Sequence, residues 1–209
     1  AAAAASSETT APRNYGTVDK PNRVALGEFF AERLSAGAQY QSILEARAEA
    51  GKQLGGKVWA GQKASKEVDE SIEQGVVRSA RAIVQQQQDQ GPRQVFDSLV
   101  DLYNRHPILG TRTSTSVDMQ AYSTPAPLAY AASAIIGVQP NEKVYDATAG
   151  NGMLLIASQN AFGNELDPGR FEAIQAQGIQ STQNDALEYV PAESMDAVIL
   201  NPPFGRQKD

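Results

Sequence analysis

The chain has 209 residues, no cysteine, a single histidine and a formal net charge of -6. The lack of cysteine excludes disulfides, cysteine-ligated metal centres and cysteine nucleophiles, and one histidine excludes a histidine-based metal cluster. The whole charge deficit falls on residues 121–209, which carry 4 basic and 10 acidic residues, so this half is not a broad basic platform for nucleic acid. With no apolar run of about 18 residues and no charged-then-apolar leader, the composition predicts a globular chain without a membrane span or a secretory signal.

The first half of the chain predicts helices. Residues 1–14 are rich in alanine, serine and threonine and predict a disordered tail. Residues 15–118 form a helical region, because apolar residues recur there at helical spacing and predict buried stripes. Gly37 and Gly51 are expected to weaken or end pieces of the first helical stretch. The stretches with this spacing are residues 24–50, 66–90 and 93–105.

The second half, residues 119–209, alternates short apolar runs with helical patterns. A helix rich in small residues is expected from Pro125 to Ile136. The alternation that follows it is typical of an α/β fold with a parallel sheet and right-handed crossovers. The expected strands are residues 143–147, 161–166, 179–183 and 196–200, and the expected helices between them are residues 152–158 and 168–177.

A loop with two glycines, residues 146–152, lies directly after the first expected strand. Gly150 and Gly152 would let a ligand approach the backbone closely at a helix start. Any tight turn from strand to helix also favours glycine, so the loop by itself leaves a ligand site and a plain turn equally open. It is neither the three-glycine dinucleotide fingerprint nor a phosphate-binding loop with Gly-Lys-Ser/Thr.

Acidic side chains follow the next two strands. Glu165 and Asp167 end the second strand, where a carboxylate can accept both ribose hydroxyls of a nucleoside. Asp167 precedes Pro168 and is favoured as a helix N-cap, an interpretation that suits Glu165 less well. Asp185, after the third strand, is placed either to accept the exocyclic amine of an adenine or to cap a short helix that follows.

The most specific motif comes directly after the fourth strand, in Asn201-Pro202-Pro203-Phe204-Gly205. Consecutive prolines have a fixed φ and no N–H, so their carbonyls stay free to accept hydrogen bonds. The Asn201 side-chain oxygen and the Pro202 carbonyl can converge on one amino group, and Phe204 offers a flat face for a base. A Pro-Pro turn that ends a strand would explain this motif, but not the polar residues at the ends of the other strands.

In this order, the motifs resemble class I S-adenosylmethionine-dependent methyltransferases of the N6-adenine DNA type. Residues 122–125 match the upstream cofactor motif of that family, residues 144–152 resemble its glycine loop, and residues 201–204 match its signature. With the Gly205 that follows it, this signature resembles that of the modification subunits of type I restriction systems. The helical first half resembles both the extensions of phage and plasmid methyltransferase–helicase proteins, which are associated with antirestriction, and the helical N-terminal regions of type I modification subunits. The resemblance covers about residues 120–205 and implies a partial Rossmann-like methyltransferase sheet preceded by a helical region.

The resemblance implies a role for each motif. Residues 122–125 would hold the methionine end of S-adenosylmethionine, and the loop over residues 146–152 would contact its amino acid and sulfonium groups. Glu165 would bind the ribose hydroxyls and Asp185 the adenine amine. The implied cofactor-binding residues are Tyr122, Thr124, Pro125, Asp146, Ala147, Gly150, Gly152, Glu165, Leu166, Asp185 and Ala186, and the implied catalytic residues are Asn201, Pro202, Pro203 and Phe204.

The implied substrate is an adenine flipped out of DNA, because base pairing otherwise blocks its amino group. Asn201 and Pro202 would accept hydrogen bonds from that amine while Phe204 stacks on the base. No metal is implied, and the absence of cysteine excludes methylation at carbon 5 of cytosine. Asparagine at the first signature position favours adenine over cytosine N4 by resemblance only. RNA adenine and a protein glutamine amide remain open as acceptors, since related signatures serve both.

Fewer strands are visible before Asp209 than a class I methyltransferase sheet contains, so we expect a fragment whose last strand is a bare apolar edge. A further stretch of chain, or a specificity or completing partner subunit, would complete it, and the near-neutral helical half is a candidate docking surface. Alone, the fragment is expected to bind the cofactor poorly and to lack sequence-specific activity. A non-catalytic structural module of a phage particle stays open. The resemblance implies a cytoplasmic protein of a bacterium, phage or plasmid, with virion association also open, acting in restriction–modification or antirestriction.

Overall fold

The computed structural model describes residues 13–108 and 123–202, so the tail expected over residues 1–14 falls almost entirely outside it. The described residues form six α-helices and four strands. None of these helices has the length and hydropathy needed to cross a bilayer. The helices are α1 (Arg23–Ser35), α2 (Ile43–Gln53), α3 (Lys63–Gln86), α4 (Pro92–Arg105), α5 (Ala126–Ile135) and α6 (Pro168–Gln175), and the strands are β1 (Lys143–Asp146), β2 (Asn160–Asn164), β3 (Gln180–Thr182) and β4 (Ala197–Val198).

The long helix α3 is the centre of the helical half and packs against α1, α2 and α4. Helices α1 and α3 cross at short range, because a Cβ added to Gly75 would lie 2.5 Å from Cβ of Phe30 and 3.0 Å from the carbonyl oxygen of Gly27. Only glycine lets the two backbones approach so closely. The buried stripe predicted from helical spacing is confirmed for Val68, Ile72, Val76 and Ala80.

The stretch over residues 24–50 forms two helices, and only one of the two glycines acts as expected. Helix α1 ends at Ser35, two residues before Gly37, and Gly37 adopts a left-handed φ of 89°. The expectation that Gly51 ends a helix is wrong, since α2 continues to Gln53. A Cβ at Gly51 would lie 2.4 Å from the carbonyl oxygen of Gly56, so glycine serves a close backbone approach at this position rather than a stop.

The four strands form one sheet, and all its pairings are parallel, as the alternating pattern predicted. The strand order is β3-β2-β1-β4. Asp146 at the end of β1 lies opposite Gly163 of β2, and Tyr145 lies opposite Val198 of β4. Strands β3 and β4 are shorter than the segments expected for them, residues 179–183 and 196–200, and they are the two edge strands of the described sheet.

The helix expected over residues 152–158 is wrong, since only a 3₁₀ turn, Met153–Leu155, forms there. Gly152, with a left-handed φ of 93°, directly precedes this turn. Met153, Leu154 and Leu155 are all buried, so the apolar run predicted the burial of the segment but not its conformation. After the turn the chain enters β2 at Asn160, whose N–H donates a hydrogen bond to the Ser158 hydroxyl at 3.1 Å.

The helical half and the sheet share one hydrophobic core. Polar side chains of α3 also cross to the sheet side. Arg81 donates a hydrogen bond to the carbonyl oxygen of Leu155 at 3.0 Å, and Arg78 donates to that of Ala176 at 3.0 Å. Helix α3 therefore contacts both the segment that follows β1 and the carboxyl end of α6.

Candidate functional site

The carboxyl ends of β1 and β4 meet where the strand order reverses. From β1 the chain continues to β2 and β3 on one side, whereas β4 returns to the other side of β1. Ligands of open parallel sheets bind beyond the carboxyl ends of the strands at such a switch point. The loop over residues 146–152, the glycine loop, leaves β1 here, and Asn201 follows β4 at the same edge.

Two left-handed residues shape the glycine loop. Gly150 has a φ of 57° and Gly152 a φ of 93°, conformations that favour glycine. A Cβ added to Gly150 would meet no atom of the described residues within 4 Å, so among these residues the backbone faces open space there. At Gly152 an added Cβ would lie 3.3 Å from Cδ1 of Ile179, so this glycine is packed against the protein. Gly150 is therefore the position at which a ligand can approach the loop backbone.

Glu165 ties the glycine loop to the end of β2. Its Oε2 accepts a hydrogen bond from the Gly150 N–H at 2.8 Å, and its Oε1 accepts one from the Asp167 N–H at 2.8 Å. Burial raises the pKa of this carboxyl, although both hydrogen bonds oppose the shift. Each carboxylate oxygen has a further lone pair, so these two contacts leave acceptor capacity for a ligand.

Asp146 ends β1 as an almost fully buried carboxyl, with 1% of its surface exposed. Its Oδ1 accepts a hydrogen bond from the Thr148 N–H at 3.0 Å. Burial raises the pKa of Asp146 to about 7, and the nearby Glu165 adds to the shift. The Thr148 hydroxyl is buried and has no hydrogen-bond partner among the described residues. A carboxyl that titrates near neutral pH and an unpaired hydroxyl therefore lie at the same turn.

Asn164, which sequence reasoning missed, joins the ends of three strands. Its side chain is fully buried, and its Nδ2 donates to the carbonyl oxygens of Ala147 at 3.0 Å and Asn184 at 2.9 Å. Its Oδ1 accepts from the Thr182 hydroxyl at 2.9 Å and from the Asn184 N–H at 3.1 Å. The sequence signal is an amide at the carboxyl end of a short apolar strand, where a buried polar group needs several partners.

The outer residues of the predicted cofactor site make local contacts. Asp167 is the N-cap of α6 and accepts a hydrogen bond from a backbone N–H of its first turn, which confirms the interpretation as a cap. Leu166 beside it is 55% exposed. Asp185 is exposed and accepts a hydrogen bond from the Leu187 N–H at 2.9 Å, in a turn rather than the short helix considered for this segment. Ala186 lies half-buried in the same turn.

Asn201 reaches the upstream motif. Its Nδ2 donates a hydrogen bond to the Thr124 hydroxyl at 3.1 Å. Thr124 directly precedes Pro125, the N-cap residue of α5, so the start of this helix holds the contact in place. Pro202 is exposed beside Asn201. The other predicted residues of these two motifs, Tyr122, Pro203 and Phe204, lie outside the described residues.

Two acidic residues of α3 contact the glycine loop, which sequence reasoning also missed. Asn151 donates from Nδ2 to Glu73 at 2.9 Å and to Glu70 at 3.3 Å. Glu70 also forms two hydrogen bonds of 2.9 Å with Arg170 of α6. Although burial opposes its ionisation, the Arg170 guanidinium holds the pKa of Glu70 below its usual value, whereas burial and the Glu70 charge raise the pKa of Glu73.

Comparison with family models, curated proteins and solved structures gave no match. The assignment to the α/β class therefore rests on the parallel sheet itself. The functional interpretation depends on the motifs and on the way in which the fold places them.

Proposed function

We propose that the chain binds S-adenosylmethionine and transfers its methyl group to the N6 amino group of an adenine in DNA. The main support is the 3.1 Å hydrogen bond between Asn201 and Thr124. This bond links the NPP motif (residues 201–203) to the upstream motif, at the sheet edge from which the glycine loop also leaves. Three motifs that are distant in sequence and resemble methyltransferase motifs are thus neighbours in space. In this proposal the sheet is part of a Rossmann-like methyltransferase core.

The residues at this edge fit a positively charged nucleoside cofactor. Among the described residues, the space next to Gly150 is open and the Thr148 hydroxyl has no hydrogen-bond partner, which leaves room and a polar group for a ligand. The free lone pairs of Glu165 suit the two ribose hydroxyls, and the exposed Asp185 can accept an adenine amine. When bound, S-adenosylmethionine supplies a methyl group on a cationic sulfur, and the carboxyls of Asp146 and Glu165 favour such a charge.

Asn201 and Pro202 carry the proposed chemistry on the target amine. Because Asn201 uses its Nδ2 on Thr124, its Oδ1 is the atom that can accept a hydrogen bond from the amine. The Pro202 carbonyl is the second acceptor, and proline has no N–H of its own to compete. Two acceptors draw the nitrogen lone pair out of conjugation with the ring and direct it at the methyl group.

A bound cofactor would supply its methyl group to this nitrogen, and its sulfur would leave as a neutral thioether. The proton that the amine gives up would pass to solvent. No covalent link to the protein is required, which agrees with a chain that has no cysteine. Alignment of this kind can supply about 7–11 kcal/mol of the barrier reduction in favourable cases. We propose that the flipped base stacks on Phe204.

The test measures cofactor binding and methyl transfer separately. Calorimetry with S-adenosylmethionine tests binding, and transfer of a tritiated methyl group to duplex DNA tests the reaction. Asn201→Ala should abolish transfer and keep most of the binding. Asn160→Ala is the matched control, because Asn160 begins β2 at the opposite edge of the sheet. Failure of the wild-type chain to bind S-adenosylmethionine, both alone and together with its proposed partner subunit, contradicts the proposal. Wild-type transfer by Asn201→Ala contradicts the role of Asn201.

The same assay separates the other acceptors and roles. Label on RNA or on a protein glutamine amide, rather than on DNA, would identify those substrates. A structural module of a phage assembly would bind no cofactor. The proposed setting is restriction–modification or antirestriction in a bacterial cytoplasm, and the proposed partners are DNA and a partner subunit.

A further inference from the structure

Asn151 is held on both sides within the glycine loop. Its side chain is 3% exposed and donates from Nδ2 to Oε1 of Glu73 at 2.9 Å and to Oε2 of Glu70 at 3.3 Å. From the other side, Gln177 donates from Nε2 to the Asn151 carbonyl oxygen at 2.9 Å. The residue between the two left-handed glycines is therefore fixed through both its side chain and its backbone.

Glu73 also faces the upstream motif. The Ser123 hydroxyl interacts with the same carboxylate and favours its ionised form, as does the Asn151 amide. Ser123 is the neighbour of Thr124, which accepts the hydrogen bond from Asn201. One carboxylate of α3 thus lies between the glycine loop and the segment that holds the NPP motif.

The neighbouring ion pair keeps this carboxylate in place. Glu70 lies one helical turn before Glu73 and is neutralised by Arg170, with two hydrogen bonds of 2.9 Å. Arg170 belongs to the first turn of α6, just after the end of β2. Without this guanidinium, two adjacent carboxylates of α3 would repel each other at the loop.

We infer that Glu73 is a positioning residue of the cofactor site, which holds Asn151 in the arrangement that binds S-adenosylmethionine. The inference rests on the proposed function for its binding measurement. Glu73 acts as a hydrogen-bond acceptor for Asn151 and makes no contact with the cofactor itself. Helix α3 is consequently part of the site. An amide oxygen at position 73 can also accept the hydrogen bond from Asn151.

The test compares Glu73→Ala, Glu73→Gln and Asp69→Ala in the full chain. Glu73→Ala should weaken S-adenosylmethionine binding about tenfold, because Asn151 loses a charged acceptor. Glu73→Gln should restore the affinity, since its Oε1 can still accept. Asp69→Ala is the matched control, because Asp69 lies on the same helix and pairs with Arg47 of α2. This control should lower the stability of the fold and leave the affinity unchanged.

A second measurement needs no cofactor. Amide hydrogen exchange of the glycine loop should become faster in Glu73→Ala and stay unchanged in Asp69→Ala. If the wild-type chain binds S-adenosylmethionine, equal affinity of Glu73→Ala, failure of Glu73→Gln to restore it, or an equal loss in Asp69→Ala overturns the inference. If the wild-type chain binds none, the proposed function fails, and the exchange rates alone decide about Glu73. Exchange that is faster in Glu73→Ala but not in Asp69→Ala supports the positioning role of Glu73. Any other result overturns that role.

Discussion

The Glu165 carboxylate and the Gly150 N–H are joined by a hydrogen bond of 2.8 Å. This bond runs from the end of β2 to the loop after β1 and so determines the spacing of two parts of the proposed cofactor site. Hydrogen bonds to an ionised carboxylate are about twice as strong as neutral ones. The residue proposed to bind the ribose therefore also maintains the shape of the loop that approaches the rest of the cofactor.

Glu165→Gln should weaken both the fold and the cofactor site. One acceptor oxygen becomes an amino group that faces a backbone N–H, so a buried donor loses its partner at a cost of about 1–3 kcal/mol in the free energy of unfolding. Urea denaturation measures this loss, and calorimetry should show weaker binding of S-adenosylmethionine. Glu172→Gln, an exposed carboxyl of α6, is the control and should change neither value. Unchanged affinity in Glu165→Gln would contradict the ribose role.

Strands and helix ends that depend on a short stretch of sequence could be predicted. The apolar runs gave the correct positions of β1 and β2, because strands buried in a parallel sheet need few polar residues. Asp167 could be predicted as a cap from its place before Pro168. The helix expected at residues 152–158 forms only as the 3₁₀ turn Met153–Leu155, because a short apolar run indicates burial and does not by itself specify a helix.

The contacts from α3 to the glycine loop could not be predicted in this way. Glu73 and Glu70 lie 78 and 81 residues before Asn151, and periodicity assigns a residue to a helix face without showing what that face meets. The pairing of Glu70 with Arg170 spans 100 residues and has the same limitation. The motifs thus located the candidate site, but the side chains that support it depend on the packing of the helical half.

Asp146 should make stability depend on pH. Its pKa is about 7 in the fold, against an ordinary value of 3.8. A carboxyl whose pKa rises on folding contributes stability that is fully present below the unfolded pKa and is lost as the pH rises through the folded pKa. The free energy of unfolding should therefore fall between pH 3.8 and about pH 7 through this group, and Asp146→Asn should remove that part of the slope.

Urea denaturation at about pH 5 and about pH 8 gives the change in the free energy of unfolding with pH for wild type and for Asp146→Asn. Only the difference between these two changes is assigned to Asp146. This comparison is needed because Glu165 and Glu73 also have raised pKa values and add slopes of the same sign. Asp89→Asn replaces an exposed carboxyl and serves as the control. Equal slopes in wild type and Asp146→Asn would contradict the shift.

Thr124→Val should slow methyl transfer more than it weakens cofactor binding. Valine keeps the shape of threonine but offers no acceptor to Nδ2 of Asn201, so the amide is no longer oriented towards the target amine. We expect a loss of about tenfold in the transfer rate, the size of one hydrogen bond. Thr17→Val, which removes an exposed hydroxyl distant in sequence from Thr124, should leave the transfer rate unchanged. A wild-type rate in Thr124→Val would show that the contact does not orient Asn201.

Arg170→Ala should destabilise the fold strongly. The side chains of Arg170 and Glu70 are only 15% and 13% exposed, so the ion pair is largely buried. Removal of one partner leaves an uncompensated charge beside Glu73, and such losses cost about 3–5 kcal/mol. Arg93→Ala is the control, because Arg93 pairs with Asp97 at the surface and is 87% exposed. The free energy of unfolding in urea should change little in this control.

The size of the Arg170→Ala effect should also depend on pH. Arg170 lowers the pKa of Glu70, so the wild-type pair contributes stability above the unfolded pKa of that carboxyl and loses it as the pH falls through the folded pKa. The variant lacks this contribution, so the difference in the free energy of unfolding should be largest at neutral pH and shrink as the pH falls below 4.5, the ordinary pKa of this carboxyl. The double variant Arg170→Ala/Glu70→Gln should recover part of the loss at neutral pH, because the unpaired charge is gone. A difference that stays constant with pH, together with no recovery in the double variant, would show that Arg170 stabilises the fold by packing rather than by neutralising Glu70.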